Sequence, residues 1–238
     1  LEARALHLLG RHRACLDALK TVTDPALAEP VALLGIRAAV RMADTVEIAQ
    51  AANTLLAVDA VSPASMDIGH LYLGMAQLQD DEPGRSDSGK SQLWRLSRES
   101  GSRSIRASAL GFLAEHGDGD ALRDLLVDFP ASTTARPFHQ QLSGLNLSKD
   151  EQLKRGRKLF ELRAYALAEE AFSALTARIH PPLVRQEAFL KLTILLMRQR
   201  ERYPEALRFS EKVIAGTDPK MSAEGVFRKG IILGHLGQ

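Results

Sequence analysis

Tyr165, Ala168 and Pro181 recur as Tyr203, Ala206 and Pro219, each 38 residues later. A fixed period of that size is the mark of stacked helical hairpins, in which no unit can bury its apolar face alone. The same interval separates Pro25 from Pro63 near the start of the chain. The period therefore constrains the fold more than composition does.

The founding hairpin opens at Ser148-Lys-Asp-Glu151, which spells a capping box. Leu153, Leu159, Phe160 and Leu162 follow at mostly helical spacing. Gly156 lies inside this helix, where it costs about 1 kcal/mol relative to Ala. The compensation expected there is close approach of the next helix. A turn after Arg163 leads to a second helix with Tyr165, Ala168, Ala171, Phe172 and Leu175 inward, stopped by His180-Pro181-Pro182. The next unit repeats the plan. Residues 183–200 carry Ala188, Leu190, Leu192, Ile194, Leu195 and Leu196, and Tyr203-Pro204 starts the partner helix with Ala206, Phe209, Val213 and Ile214 inward. Asp218-Pro219 ends that helix, and a third unit from Ser222 has Gly230, Leu233 and Leu236 echoing Gly156, Leu159 and Leu162.

Residues 1–9 and 15–22 read as one hairpin turned at Leu9-Gly10, and 30–42 and 46–58 as the next. A helix capped by Ser62-Pro63 runs to about Leu78. Residues 79–90 are polar and rich in Gly, Ser and Asp, so an exposed loop is expected, then a short helix over 91–98 bearing Trp94. Residues 104–115 and 120–129 form a hairpin around Gly117-Asp118-Gly119, ended by Pro130. The expected organisation is irregular hairpins over 1–130, a connector with one short helix over 131–147, and regular repeats over 148–238. Leu1 is not Met, and the chain stops at Gln238 at an expected turn, so both ends are read as cuts within a longer protein.

Ala and Leu outnumber Val and Ile, which favours helices over sheets. A net charge of +2 implies no strong pull toward nucleic acid or an anionic membrane. The single Cys15 excludes an intramolecular disulfide and a cysteine metal cluster. No apolar run approaches a membrane span.

Four features invite a chemical reading. Gly84-Arg-Ser-Asp-Ser-Gly89-Lys90-Ser91 satisfies the phosphate-loop spelling G-x-x-x-x-G-K-S, with Leu125-Leu126-Val127-Asp128 as a stand-in for the magnesium-holding strand. A phosphate loop must follow a buried strand, whereas this one follows the acidic Gln79-Asp80-Asp81-Glu82-Pro83, so a flexible loop with a chance match is expected. Seven His are scattered without metal-ligand spacing, and they read as packed or surface residues. Trp94 reads as core, with stacking on a sugar or peptide as the competing role. Lys154, Arg155, Arg157, Lys158 and Arg163 read as a solvated helix face, with contact to an acidic partner as the competing role.

The stretch Gly156-Arg-Lys-Leu159-Phe160-Glu-Leu162, continued by Tyr165-Ala-Leu-Ala168 and Phe172, resembles a tetratricopeptide repeat. Arg163 stands where that repeat has a glycine, the first-helix Trp is missing, and the period exceeds the usual length. Phe129-Pro130-Ala-Ser132, then Leu147-Ser148, Arg155-Gly156-Arg157, Leu159-Phe160 and Tyr165, look like the helical superhelix of soluble periplasmic lytic transglycosylases. In that family the helices form a scaffold, and a separate downstream domain cleaves peptidoglycan with a Glu acid. Glu99-Ser100 matches the family's Glu-Ser dipeptide, but no Gly-Leu-Met-Gln follows, so no catalytic role carries over.

The expectation is thus an all-α, right-handed superhelix of about fourteen helices in tetratricopeptide-like hairpins, without a sheet. No catalytic, cofactor or metal residue is assigned. The resemblance implies a periplasmic, non-catalytic scaffold that positions a downstream domain on peptidoglycan. A tetratricopeptide-type adaptor holding a protein or peptide on its concave face is the alternative, without nucleic acid as partner.

Overall fold

The computed structural model describes residues 1–177 and 181–237. These residues form helices and no strand, so the all-α class holds for them. The chain divides into two compact units, Leu1–Leu122 and Arg123–Gln238.

The first unit contains α1 (Glu2–Leu8), α2 (His12–Leu19), α3 (Ala28–Met42), α4 (Thr45–Leu56), α5 (Pro63–Leu78), α6 (Pro83–Glu99) and α7 (Arg103–Glu115). The boundary between the units falls within α8 (Gly119–Asp128). Each helix from α2 to α7 packs on the one before it. Turn chemistry sets the breaks. Gly10 at φ +73° and Gly117 at φ +83° supply left-handed turns that other residues resist. Asp44, Ser62 and Ser102 cap α4, α5 and α7 by accepting from the backbone N–H three residues on. Pro25 does not end α2, which stops at Leu19; with Asp24 as cap it opens a 3-10 turn, Pro25–Leu27, that leads into α3. Between these helices lie small apolar cores, one around Cys15, Leu16, Leu19 and Ala38 and another around Ile36, Ala52 and Leu55.

In the second unit a long 3-10 segment, Arg136–Gly144, occupies the expected connector. It precedes α9 (Lys149–Glu161), α10 (Tyr165–Ala177), α11 (Pro182–Leu196), α12 (Tyr203–Ile214) and α13 (Pro219–Leu236). The Ser148–Glu151 capping box is present with both of its hydrogen bonds. Gly156 has the role its position implied, because a Cβ there would lie 2.9 Å from the buried Phe172 ring of α10. Leu159, Phe172, Leu175 and Leu192 centre the core that joins α9, α10 and α11. Pro181 is the N-cap residue of α11 and Pro182 its first residue, while His180 of the expected stop lies outside the described residues.

Two expectations need correction here. Pro219 does not end α12; it opens α13, with Asp218 accepting from the Met221 N–H. Nor is Gly230 the counterpart of Gly156. Nothing lies within 4 Å of a Cβ at Gly230, whereas one at Gly225 would meet Val213 at 2.9 Å. The repeat thus keeps a close-approach glycine and shifts it along the helix.

Arg163 stands at φ +59° between α9 and α10. A Cβ disfavours this conformation by about 1 kcal/mol. Arg163→Gly should therefore raise stability by about 0.5–1 kcal/mol, read as a higher denaturant midpoint at unchanged m value.

Candidate functional site

The largest correction concerns residues 79–90, expected to be an exposed loop. They are helical from Pro83 onward, and α6 runs unbroken through the whole phosphate-loop spelling to Glu99. Three local causes combine. Pro83 occupies the first turn, where its missing N–H is no loss. Arg85 pairs with Asp80 at 3.3 Å and Glu82 at 3.1 Å, anchoring the helix start. Ser86 Oγ donates to the Leu78 carbonyl at 3.2 Å, satisfying the C-terminal end of α5.

Gly89 is the decisive residue. A Cβ there would lie 2.6 Å from the Gly74 carbonyl oxygen and 2.6 Å from the Leu78 nitrogen. The two helices cross backbone to backbone at this point. Ser86 meets Leu78, Gly89 meets Gly74, Gln92 donates to the His70 carbonyl and Ser100 bonds Asp67, so α6 runs antiparallel to α5. A phosphate loop needs free backbone N–H groups at a turn, and here they belong to a helix.

Lys90, the phosphate-binding position of that spelling, is an ion-pair partner of Asp118 at 3.0 Å. The same carboxylate accepts from Trp94 Nε1 at 3.2 Å and, through its other oxygen, from the Ala121 N–H at 3.0 Å. Trp94 is therefore a half-buried tether with Arg98 over its ring, not a core residue. Burial pushes the Asp118 carboxyl up, but the Ala121, Lys90 and Trp94 hydrogen bonds outweigh it and hold the group below the usual carboxylate range. A depressed carboxylate stabilises the fold above its unfolded value of about 3.9, and that contribution is lost as pH falls through the folded value. Trp94 is the sole tryptophan, so its fluorescence should titrate with Asp118, below the usual carboxylate range, and Asp118→Asn should abolish that transition.

Leu125 to Asp128 lies in α8 and offers no strand. Asp128 binds its neighbours in α9 instead, taking Lys154 at 2.7 Å and also Lys158. Burial raises its carboxyl, yet the two lysines outweigh that and hold it below the usual range. Arg157 forms a two-pronged pair with Glu187 of α11 at 2.6 and 2.5 Å. Three of the five cationic residues, Lys154, Arg157 and Lys158, are thus engaged by carboxylates of the same unit. Arg155 departs further from expectation: it is only 5% exposed and is not part of a solvated face.

His7 and His12 come together across the first turn, ring centroids 5.1 Å apart, a pairing that linear spacing missed. His116 and His139 each bond a backbone carbonyl at 2.8 Å. No group of three or more metal-ligating side chains occurs among the described residues. The Ser100 hydroxyl donates to Asp67 at 2.6 Å and accepts from the Ser102 N–H, so Glu99-Ser100 marks the end of α6. Among the described residues no helix is long and apolar enough to cross a membrane.

With Gly89 enclosed and Lys90 engaged, magnesium-ATP should move the melting temperature by less than about 1 °C in a thermal-shift assay. A saturable stabilisation would contradict this assignment. Comparison with protein-family models, with curated proteins and with solved structures found no match for this chain.

Proposed function

We propose that the chain is a non-catalytic α-helical scaffold, the helical portion of a periplasmic lytic transglycosylase that acts on peptidoglycan through a downstream domain. The observation that carries the scaffold reading is the use made of the reactive-looking groups. Lys90 and Trp94 hold Asp118, Lys154 and Lys158 hold Asp128, and Arg157 holds Glu187. Each joins one helix to another element of its own unit. The resemblance around Phe129, Ser148, Gly156 and Tyr165 supplies the transglycosylase part of the proposal.

Two results test it. The coding sequence continuing past Gln238 should carry Glu-Ser and Gly-Leu-Met-Gln motifs, and the present chain alone should release no soluble fragments from purified peptidoglycan. A continuation lacking both motifs ends the transglycosylase reading. The second reading, an adaptor for a protein or peptide, is favoured by Val226 and Phe227 on α13, adjacent apolar residues 57% and 58% exposed. If the adaptor reading holds, Phe227→Glu should abolish cross-linking to a captured partner. Equal cross-linking by the variant would count against it.

A further inference from the structure

Arg155 of α9 is buried, and its Nε has no hydrogen-bond partner among the described residues. A guanidinium stays charged at any physiological pH, and burying one without a matched anion is unfavourable. Burial works against that charge, and the Glu170 carboxylate partly restores it from α10. Arg155 and the exposed Glu170 line one cavity of about 280 Å³ within the second unit. Its apolar wall includes Leu142, Leu145, Ala171 and Ala174.

Opposite charges on a partly apolar cavity select a ligand class. A simple cation is disfavoured by Arg155, and a dianion by Glu170. A zwitterion with an aliphatic side chain complements both charges and the wall. We propose that this cavity binds an amino-acid-class ligand, its carboxylate on the Arg155 guanidinium, its ammonium toward Glu170 and its side chain against Leu142, Leu145, Ala171 and Ala174. The orphaned Arg155 Nε–H is then explained as part of a recognition site for a planar carboxylate. The site is independent of the scaffold reading and stands or falls without it.

The test is isothermal titration calorimetry of the full chain with L-leucine, N-acetyl-L-leucine and L-leucinamide, each to about 10 mM. Leucine should bind saturably, N-acetyl-leucine more weakly, and leucinamide without saturation. Arg155→Gln should weaken leucine at least about tenfold. Because a buried substitution can disturb folding, Glu170→Gln at an exposed position is the second variant, and it should erase leucine's advantage over N-acetyl-leucine. The dipeptide Leu-Leu distinguishes the sources: tighter binding than leucine assigns the site to peptides, weaker binding to free amino acids. No saturable heat with leucine or Leu-Leu, or affinities unchanged by both variants, overturns the proposal.

Discussion

Gly89→Ala should lower the stability of the first unit by about 3 kcal/mol or more, near the upper end of overpacking effects. The added methyl would lie 2.6 Å from two backbone atoms, the Gly74 oxygen and the Leu78 nitrogen, and backbone cannot rotate away as a side chain can. To accept it, α5 and α6 must separate, which disturbs Leu93, fully buried and itself 3.1 Å from a Cβ at Gly74. At about 2–4 °C per kcal/mol for chains of this length, the melting temperature should fall by about 6–12 °C. Gly84→Ala is the control. Nothing lies within 4 Å of a Cβ there, and on helix propensity that change should stabilise slightly. Were the segment a phosphate-binding loop, Gly89→Ala would impair nucleotide binding and leave helix packing intact.

Gln186→Leu should be the second large effect, about 2 kcal/mol, through a stranded part-buried donor and not lost volume. Gln186 is 2% exposed on α11, and its amide joins the end of α12 to the start of α13. Nε2 donates to the Val213 carbonyl at 2.9 Å, the Asp218 carbonyl at 3.2 Å and Ser222 Oγ at 3.1 Å. Oε1 accepts from the Asp218 N–H at 2.9 Å. Leu fills similar space but strands the part-buried Asp218 N–H, whose acceptor is Gln186 Oε1. The Val213 carbonyl keeps the Gly216 N–H, and the Asp218 carbonyl keeps the Ser222 N–H. Gly216 belongs to the same arrangement, since a Cβ there would fall 2.1 Å from the Gln186 Cδ. Gly216→Ala should therefore destabilise strongly too. The double variant should cost less than the two single effects combined, because the first change already removes what the second displaces. A double-mutant cycle in urea measures this directly. Additive effects would show that Gly216 matters for another reason.

Helix positions were readable at Ser62-Pro63 and Ser148, where a cap coincides with apolar periodicity, but Asp218-Pro219 reads as a stop when it opens α13. Pro63 to Leu78 begins and ends where Ser62-Pro63 and the periodic Ile68, Leu71 and Met75 place it. The Ser148–Glu151 box and the close approach at Gly156 were readable for the same reason: local chemistry and packing agree there. Residues 79–90 were misread because Gly and Ser count as breakers when taken singly. The reasoning that excused Gly156, a helix admitting its neighbour, applies equally to Gly89, but the facing Gly74 lies too far back in the chain to be noticed. Arg155 was misread because alternation along α9 cannot show which charged residue the 3-10 segment and α10 cover. Gln186 offers no local signal, since its partners lie 27 to 36 residues ahead.

Amide hydrogen exchange across residues 79–99 tests the central claim most directly, that glycine-rich and charged stretches of this chain serve helix packing. The amides beyond the first turn of α6, through Glu99, should exchange as one protected helix, with Gly89 and Lys90 as slow as the α5 amides they face. Rapid exchange confined to Gly84 through Ser91, with protection beginning only near Gln92, would contradict the account and restore an open loop at that position.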